Sequence, residues 1–279
     1  MRRPPRSTQS RSSAASDVYK GRTDIETFVE RGYVVVRSAF HREEALRFVE
    51  QSLVGLDPPP RASIRTRTGV RTIGLEDGFV PSDPSTWPEA TLNLHTRRPL
   101  QLQQFAPRLS TAVRQLVGDG LLHRSTIGHL WKLNADFAPG PAPPVSEKWI
   151  PDSWHIDHPG APTTFGGRTD AVVLFMLWSD IGPCGGGTRF RPESIDLLTA
   201  SIESNGAVDV QSEAFREALA KAGPIQEMTG RAGDVFVMHG WLFHSVALNY
   251  ADTIRVLENS MGATPYPPNY SPHNPSPPP

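Results

Sequence analysis

The stretch GDVFVMHGWLFHSVALNYADTIRV, residues 233–256, alternates short apolar segments with turn residues. Its β-branched and aromatic residues predict a strand at Asp234–His239 and a second strand at Thr253–Asn259, which extends past the quoted stretch. The polar run Asn249–Asp252 predicts a turn, so we expect the strands on its two sides to pair as a hairpin. Short strands joined by turns are typical of an antiparallel sandwich or barrel.

The rest of the chain predicts the same mainly β fold with flanking helices. From Ile127 onward there is no repeated βα alternation. The other strand candidates in that part are His129–Asn134, Trp154–Asp157, Ala171–Trp178 and Thr188–Arg191. Helical spacing predicts helices at Asp24–Glu30, His41–Leu53, Leu109–Val117 and Ser212–Ala222, with a strand at Gly32–Arg37.

A long loop is predicted at Asp57–Pro88, because Gly, Pro, Ser and Asp interrupt every regular pattern there. It contains four arginines, Arg61, Arg65, Arg67 and Arg71. We interpret the loop as a solvated surface segment in preference to a clamp for an anionic substrate group.

Chain length and the terminal compositions predict the domain organisation. The 279 residues suffice for one large domain, which we place at residues 22–265. Residues 1–21 are rich in Arg and Ser and resemble a translated adaptor sequence, although an organellar transit peptide would look broadly similar. Residues 266–279 form a Pro-rich tail, predicted to be extended or disordered.

Composition excludes several classes of protein. No apolar run approaches the roughly 18 residues of a membrane-spanning helix, and Cys184 is the single cysteine, which excludes a disulfide framework. Without residues 1–20, the 28 basic and 29 acidic residues become 23 and 28, a net charge of −5. Non-specific nucleic-acid binding is therefore not expected. Cytoplasm is the default location, and the sequence does not predict the oligomeric state.

His155 and Asp157 are the first candidate metal ligands. Pro151 and Pro159 exclude a helix around them, and alternate side chains of an extended segment share one face. Both side chains can therefore reach one ion. A His followed two positions later by an acid also occurs at His41, where it opens a predicted helix and indicates a surface position.

A third ligand is expected from His239 or His244, and their spacing does not choose between the two. Arg255 follows in the next predicted strand, where a buried guanidinium needs a carboxylate partner. That partner is either an internal Asp or Glu or the far carboxylate of an oxo-acid, held in bidentate fashion.

These motifs resemble the phytanoyl-CoA dioxygenase family of iron(II)- and 2-oxoglutarate-dependent oxygenases. The resemblance covers most of residues 25–262. It is carried by FVERGYVVVRSAF at 28–40, WHIDHPG at 154–160, AVVLFMLWSDIGPCGGGTRF at 171–190 and the stretch at 233–256. It implies a double-stranded β-helix, or jelly-roll, core similar to that of the cupins.

The resemblance also implies the site. His155, Asp157 and His244 would ligate Fe(II), and Arg255 would bind the remote carboxylate of 2-oxoglutarate. His239 would then either support the ligands or have a structural role. Asn249 falls at the family's Asn position, and Asn249 and Ser245 are further candidate contacts of 2-oxoglutarate. Relatives place a small hydroxyl residue two positions after the distal histidine, where this chain has Val246, and Ser245 is one position early.

The chemistry that the resemblance implies is oxidation of a C–H bond by O₂, in which 2-oxoglutarate is converted to succinate and CO₂. Relatives that halogenate have a small residue in place of the carboxylate ligand, so Asp157 favours hydroxylation or a related oxidation. The substrate is expected to be a small molecule or an acyl compound. The alternatives are a catalytically inactive jelly-roll protein that binds a metal or ligand, and a zinc-dependent hydrolase.

Overall fold

The computed structural model describes residues 21–54, 62–66, 69–74, 77–80, 83–86, 91–94, 100–117, 126–127, 131–134, 154–157, 162–165 and 169–264. Residues 1–20 and the Pro-rich tail at 266–279 lie outside the described residues. None of the helices in the described part has the length and apolar character that a membrane span requires.

The described helices are α1 (Gly21–Arg31), α2 (Arg42–Val54), α3 (Leu102–Phe105), α4 (Pro107–Val117), α5 (Ser194–Asn205) and α6 (Glu213–Lys221). The described strands are β1 (Tyr33–Val36), β2 (Ala62–Thr66), β3 (Gly69–Ile73), β4 (Thr91–Leu94), β5 (Leu100–Gln101), β6 (Thr126–Ile127), β7 (Trp131–Asn134), β8 (Thr169–Leu177), β9 (Arg189–Phe190), β10 (Gln226–Glu227), β11 (Val235–His239), β12 (His244–Ser245) and β13 (Arg255–Thr264).

Two antiparallel sheets form the body of the protein. The larger has eight strands in the order β1-β11-β8-β13-β7-β4-β2-β3, and the smaller has three in the order β10-β9-β12. His155 extends the smaller sheet, because it forms an isolated antiparallel bridge with His244 of β12. The predicted class of mainly antiparallel β structure with flanking helices is confirmed.

The larger sheet has two buried faces because the side chains of β8 alternate between them. Val172, Leu174, Met176 and Trp178 pack against α1, α2 and α4. Val173, Phe175 and Leu177 belong to the second core, which includes residues of the smaller sheet, α5 and α6. We call the first the helix face and the second the inner face. The near-continuous apolar run of β8 follows from burial on both sides.

Two predictions were wrong. The segments on either side of the Asn249–Asp252 turn do not pair as a hairpin: β12 pairs with β9, whereas β13 pairs with β7 and β8. The turn therefore connects two different sheets. Within Asp57–Pro88, β2 and β3 pair with each other, and β2 pairs with β4. The β-branched residues of β2, β3 and β4 favour extended backbone. This preference outweighs the loop signals of the stretch, which is rich in Arg and Gly.

Sequence analysis did not predict α5. Its buried residues include Ile195, Leu198, Thr199 and Ile202, which have the i, i+3, i+4, i+7 spacing of an amphipathic helix. Gly206 ends it in the left-handed conformation at φ 73°, and its N–H donates to the carbonyl of Ile202. The helix packs against α6 beyond the smaller sheet.

Candidate metal centre

The backbone brings the two candidate ligand segments together. The N–H groups of His155 and His244 each donate to the other's carbonyl at 3.0 Å, and the N–H of Asp157 donates to Gly240 at 2.9 Å. Such a two-way exchange is the hydrogen-bonded pair of an antiparallel ladder, in which opposite side chains share a face. The two imidazoles consequently lie side by side, with ring centroids 4.2 Å apart.

The carboxylate of Asp157 completes a three-sided donor set. Its Oδ1 lies 3.9 Å from Nε2 of His155, and its Oδ2 lies 3.4 Å from Nε2 of His244. One ligand atom from each residue falls within 4.8 Å of the others. Adjacent ligands on one ion with bonds of roughly 2.1 Å lie about 3 Å apart. Small side-chain rotations would bring the three atoms to that separation.

The second nitrogen of His244 is fixed by the backbone. Its Nδ1 lies 2.9 Å from the carbonyl of Leu242, so Nδ1 carries the proton and Nε2 has the lone pair. The side chain of His244 is 3% exposed, whereas those of Asp157 and His155 are 13% and 36% exposed. The donor set is therefore buried on the His244 side and accessible beside His155.

His239 lies on the other face of the sheet. It follows Val235 and Val237 of β11, which belong to the helix face, and its ring lies 6.2 Å from that of Phe28 in α1. Its Nδ1 accepts the backbone N–H of Trp241 at 3.0 Å. Burial lowers the pKa of His239 to about 4, so the ring is neutral at physiological pH. Its position separates it from the cluster of His155, Asp157 and His244.

Arg255 is a buried cation at the start of β13. Burial lowers its pKa to about 10, and the carboxylate of Glu227 acts in the opposite direction, so the guanidinium is charged at neutral pH. Among the residues that the structure describes, Nε of Arg255 has no hydrogen-bond partner. On the strand it shares a face with Leu257, which belongs to the inner face, as does Phe175 beside the His244 ring. An anion with access to this interior would find an unsatisfied donor.

A family model now distinguishes among proteins that share such a fold. The model described as phytanoyl-CoA dioxygenase (PhyH) matches residues 28–256, which is most of the chain. The chain belongs to the phytanoyl-CoA dioxygenase family. The resemblance inferred from its motifs is confirmed, and with it the expected class of iron(II)- and 2-oxoglutarate-dependent oxygenases.

Solved structures are similar to the chain at low sequence identity. The crystal structure of the non-heme alpha ketoglutarate dependent carbocyclase SnoK from nogalamycin biosynthesis is 15% identical, with a TM-score of 0.49, covering 86% of this chain and 83% of its own. The epimerase SnoN, in complex with Fe³⁺, alpha ketoglutarate and nogalamycin RO, is 16% identical, with a TM-score of 0.49 and coverages of 90% and 87%. EvdMO1 is 17% identical, with a TM-score of 0.50 and coverages of 87% and 49%. No curated protein matches the chain by sequence.

The two remaining predicted cofactor-binding residues are fully buried. Asn249 shapes the turn before β13, because its Nδ2 donates to the carbonyl of Thr253 and its Oδ1 accepts the N–H of Ala251. Ser245 lies opposite Arg189 on β9, and its Oγ donates to the carbonyl of Val246 at 3.3 Å. Their roles as contacts of the family's co-substrate stay predictions.

Sequence analysis missed three residues around this interior. Arg189 is fully buried and lies 3.4 Å from the carboxylate of Glu227. Asn259 follows Arg255 on the same face of β13, and its buried Oδ1 has no partner in the described part of the chain. Arg189 lies in the family-like stretch at 171–190, but only the register of β9 and β10 makes it a neighbour of Glu227, which lies outside the quoted motifs. Asn259 was detectable, because it stands four positions after Arg255 in a predicted strand.

Proposed function

We propose that the protein is an iron(II)- and 2-oxoglutarate-dependent dioxygenase that hydroxylates a C–H bond of a small-molecule or acyl substrate, with release of succinate and CO₂. The observation that carries the proposal is the combination of the His155, Asp157 and His244 cluster with the buried Arg255, whose Nε has no hydrogen-bond partner in the described part of the chain. A zinc hydrolase would use the first part of this combination and leave the second without a role.

The donor chemistry of the cluster fits ferrous iron. Two imidazole nitrogens and one carboxylate oxygen on one side of an ion are the facial arrangement found in non-heme iron oxygenases. We assign His155, Asp157 and His244 as the ligands. Bound iron would supply the site for O₂ and 2-oxoglutarate and the oxidising power for C–H cleavage.

The protein's own contribution is orientation and charge. The Leu242 carbonyl holds the His244 ring with Nε2 directed at the ion, and the bridge between His155 and His244 fixes the distance between the two rings. Arg255 would pair with the remote carboxylate of 2-oxoglutarate, which would supply the partner that its Nε lacks among the described residues. Asn249 would hold the turn that places Arg255 at the start of β13.

The strand order supports a double-stranded β-helix core within a single domain at residues 22–265. The run β7-β13-β8-β11 of the larger sheet faces the run β10-β9-β12, to which His155 adds a further segment. Consecutive segments from β7 onward alternate largely between these two runs, as in a jelly roll. The ligand segments belong to the smaller run and Arg255 to the larger, so a co-substrate would lie between them.

Oxygen-coupled turnover of 2-oxoglutarate tests the function. The iron(II)-loaded protein should convert 2-oxoglutarate to succinate with matched O₂ uptake, slowly alone and faster with a substrate from a panel of acyl-CoA thioesters and small metabolites. A product heavier by one oxygen atom supports hydroxylation, whereas a product of equal mass or one lacking two hydrogens indicates epimerisation or ring closure. Hydrolysis by the zinc-loaded protein without any O₂ uptake would contradict the proposal.

A further inference from the structure

A charged pair is buried in the smaller sheet beside the strand that bears His244. Arg189 of β9 lies directly opposite Glu227 of β10 on one side and Ser245 of β12 on the other. Arg189 is completely buried, and its Nη1 lies 3.4 Å from Oε2 of Glu227. Directly opposite residues share a face of a sheet, so the strand register itself enforces this pairing.

The loop before β9 also holds the carboxylate of Glu227. The N–H groups of Cys184 and Gly187 donate to its two oxygens at 2.7 and 3.2 Å. A Cβ on Gly187 would collide with the carbonyl of Met228, so only glycine allows the loop to come this close. Glu227 is thus held by one guanidinium and two backbone donors on the same side.

This loop is joined to the turn that leads into Arg255. Gly185 forms an isolated bridge with Asn249, and the N–H of Tyr250 donates to the carbonyl of Cys184 at 2.8 Å. Glu227 is close enough to stabilise the charged form of Arg255 and raise its pKa against the effect of burial. Within the described residues, however, the two side chains form no ion pair, although both are buried and opposite in charge.

We infer that Arg189 is a positioning residue, which together with the Cys184–Gly187 loop keeps Glu227 from neutralising Arg255 and so reserves that guanidinium for the remote carboxylate of the co-substrate. The inference rests on the proposed function. The carboxylate of Glu227 and the remote carboxylate of the co-substrate have the same charge. Glu227 then weakens the attraction of Arg255 for the remote carboxylate, and Arg189 limits the size of this effect.

Three variants separate these effects. Glu227→Gln removes the opposing charge, so 2-oxoglutarate should bind about five- to twentyfold more tightly. Arg189→Met releases Glu227 to pair with Arg255, so 2-oxoglutarate should bind about tenfold more weakly. The double variant Arg189→Met/Glu227→Gln loses the charge of Glu227 together with the arginine that restrains it. Its affinity for 2-oxoglutarate should therefore return to within about threefold of the wild type.

The measurement is calorimetric titration of nickel-loaded protein, which binds without turnover, using 2-oxoglutarate and its matched analogue 2-oxopentanoate. The analogue keeps the chelating end and has a methyl group in place of the remote carboxylate. Its affinity should stay within about twofold in all variants, because the charge of Glu227 acts on the remote end. A thermal melt of each variant confirms folding.

The results separate this inference from the proposed function. Unchanged or weaker 2-oxoglutarate binding by Glu227→Gln, or an equal change for both ligands, would overturn the role of the pair. If Arg189→Met does not fold, Glu227→Gln alone tests the inference. A wild-type protein that binds nickel and binds the analogue as tightly as 2-oxoglutarate overturns the inference. A wild-type protein that binds no 2-oxoglutarate with any metal overturns both the inference and the proposed function.

Discussion

The helix face and the inner face of the larger sheet are built from alternate residues of the same strands, yet they differ in the hydrogen-bond partners of their buried polar groups. On the helix face, Nε1 of Trp178 donates to Glu258 at 2.9 Å, and Nδ1 of His239 accepts the N–H of Trp241. On the inner face, Nε of Arg255 and Oδ1 of Asn259 have no hydrogen-bond partner among the described residues.

This difference separates buried polar groups with a structural role from buried polar groups with a role in binding. A buried polar group with an internal partner adds little net cost, whereas one without a partner costs about 1–3 kcal/mol. The helix face has its partners within the protein, so its role is stability. The inner face retains groups that a bound ligand would satisfy, so we expect its substitutions to change binding more than folding.

The largest expected effect on stability is on the helix face. Trp178 is fully buried among the rings of Phe40, Phe48 and Phe105. Trp178→Ala should lower the free energy of unfolding by about 3–5 kcal/mol, because it leaves a cavity and removes the hydrogen bond from Trp178 to Glu258. Urea denaturation measures this loss, with the partly exposed Leu46→Ala as control. A loss below about 1 kcal/mol would remove the distinction between the faces.

His239 should make stability depend on pH. Its pKa is about 4 in the folded protein and 6.5 ordinarily, so between these values the unfolded chain binds a proton that the folded chain does not. Its contribution is therefore complete above about pH 6.5 and falls by about 3 kcal/mol as the pH approaches 4. His239→Asn, which retains an acceptor for the Trp241 N–H, should flatten this slope in denaturation curves. An identical slope in the variant would place the effect elsewhere.

Arg255→Gln should affect binding in preference to folding. Loss of the charged partner should weaken 2-oxoglutarate binding about thirtyfold, or about 2 kcal/mol. Stability should be unchanged or slightly higher, because the buried cation that is removed forms no ion pair within the described residues. Calorimetry and urea denaturation measure the two quantities, with Arg37→Gln, at the half-exposed Arg37 ion pair with Asp234, as the control for binding. Equal 2-oxoglutarate affinity in wild type and Arg255→Gln would refute its assigned role.

The smallest expected effect concerns Asn259. Asn259→Leu should leave stability unchanged or raise it by about 0.5–1 kcal/mol, since the native amide oxygen has no partner to lose within the described residues. On the helix face, the matched change Glu258→Gln, which weakens the bond from Trp178, should instead destabilise. Urea denaturation of both variants measures the contrast, and a destabilised Asn259→Leu would mean that the inner face is held by its polar groups as well.

Much of the site could be predicted from sequence because the informative signals are local. An extended segment places His155 and Asp157 on one face, and the family motif selects His244 over His239. The structure adds the physical reason, since β11 ends at His239 with its side chain toward α1, and a turn precedes β12 at His244.

The errors arose where long-range pairing decides the structure. A turn at Asn249–Asp252 is compatible with a hairpin or with a crossover between sheets, and only the pairing of β12 with β9 decides. The same holds for Arg189 and Glu227, which are 38 positions apart in sequence and adjacent through the register of β9 and β10. Neither residue was predicted as part of the site, whereas the structure buries their side chains next to β12, which bears His244.

The most direct test of the central claim compares His244 of the smaller sheet with His239 on the helix face of the larger sheet. Anaerobic addition of iron(II) and 2-oxoglutarate to wild-type protein should produce the weak visible absorption band of metal-bound 2-oxoglutarate. His244→Ala should abolish the band, and His239→Ala should retain it. A band that survives His244→Ala, or folded wild-type protein that binds iron and develops no band, would contradict the assigned site.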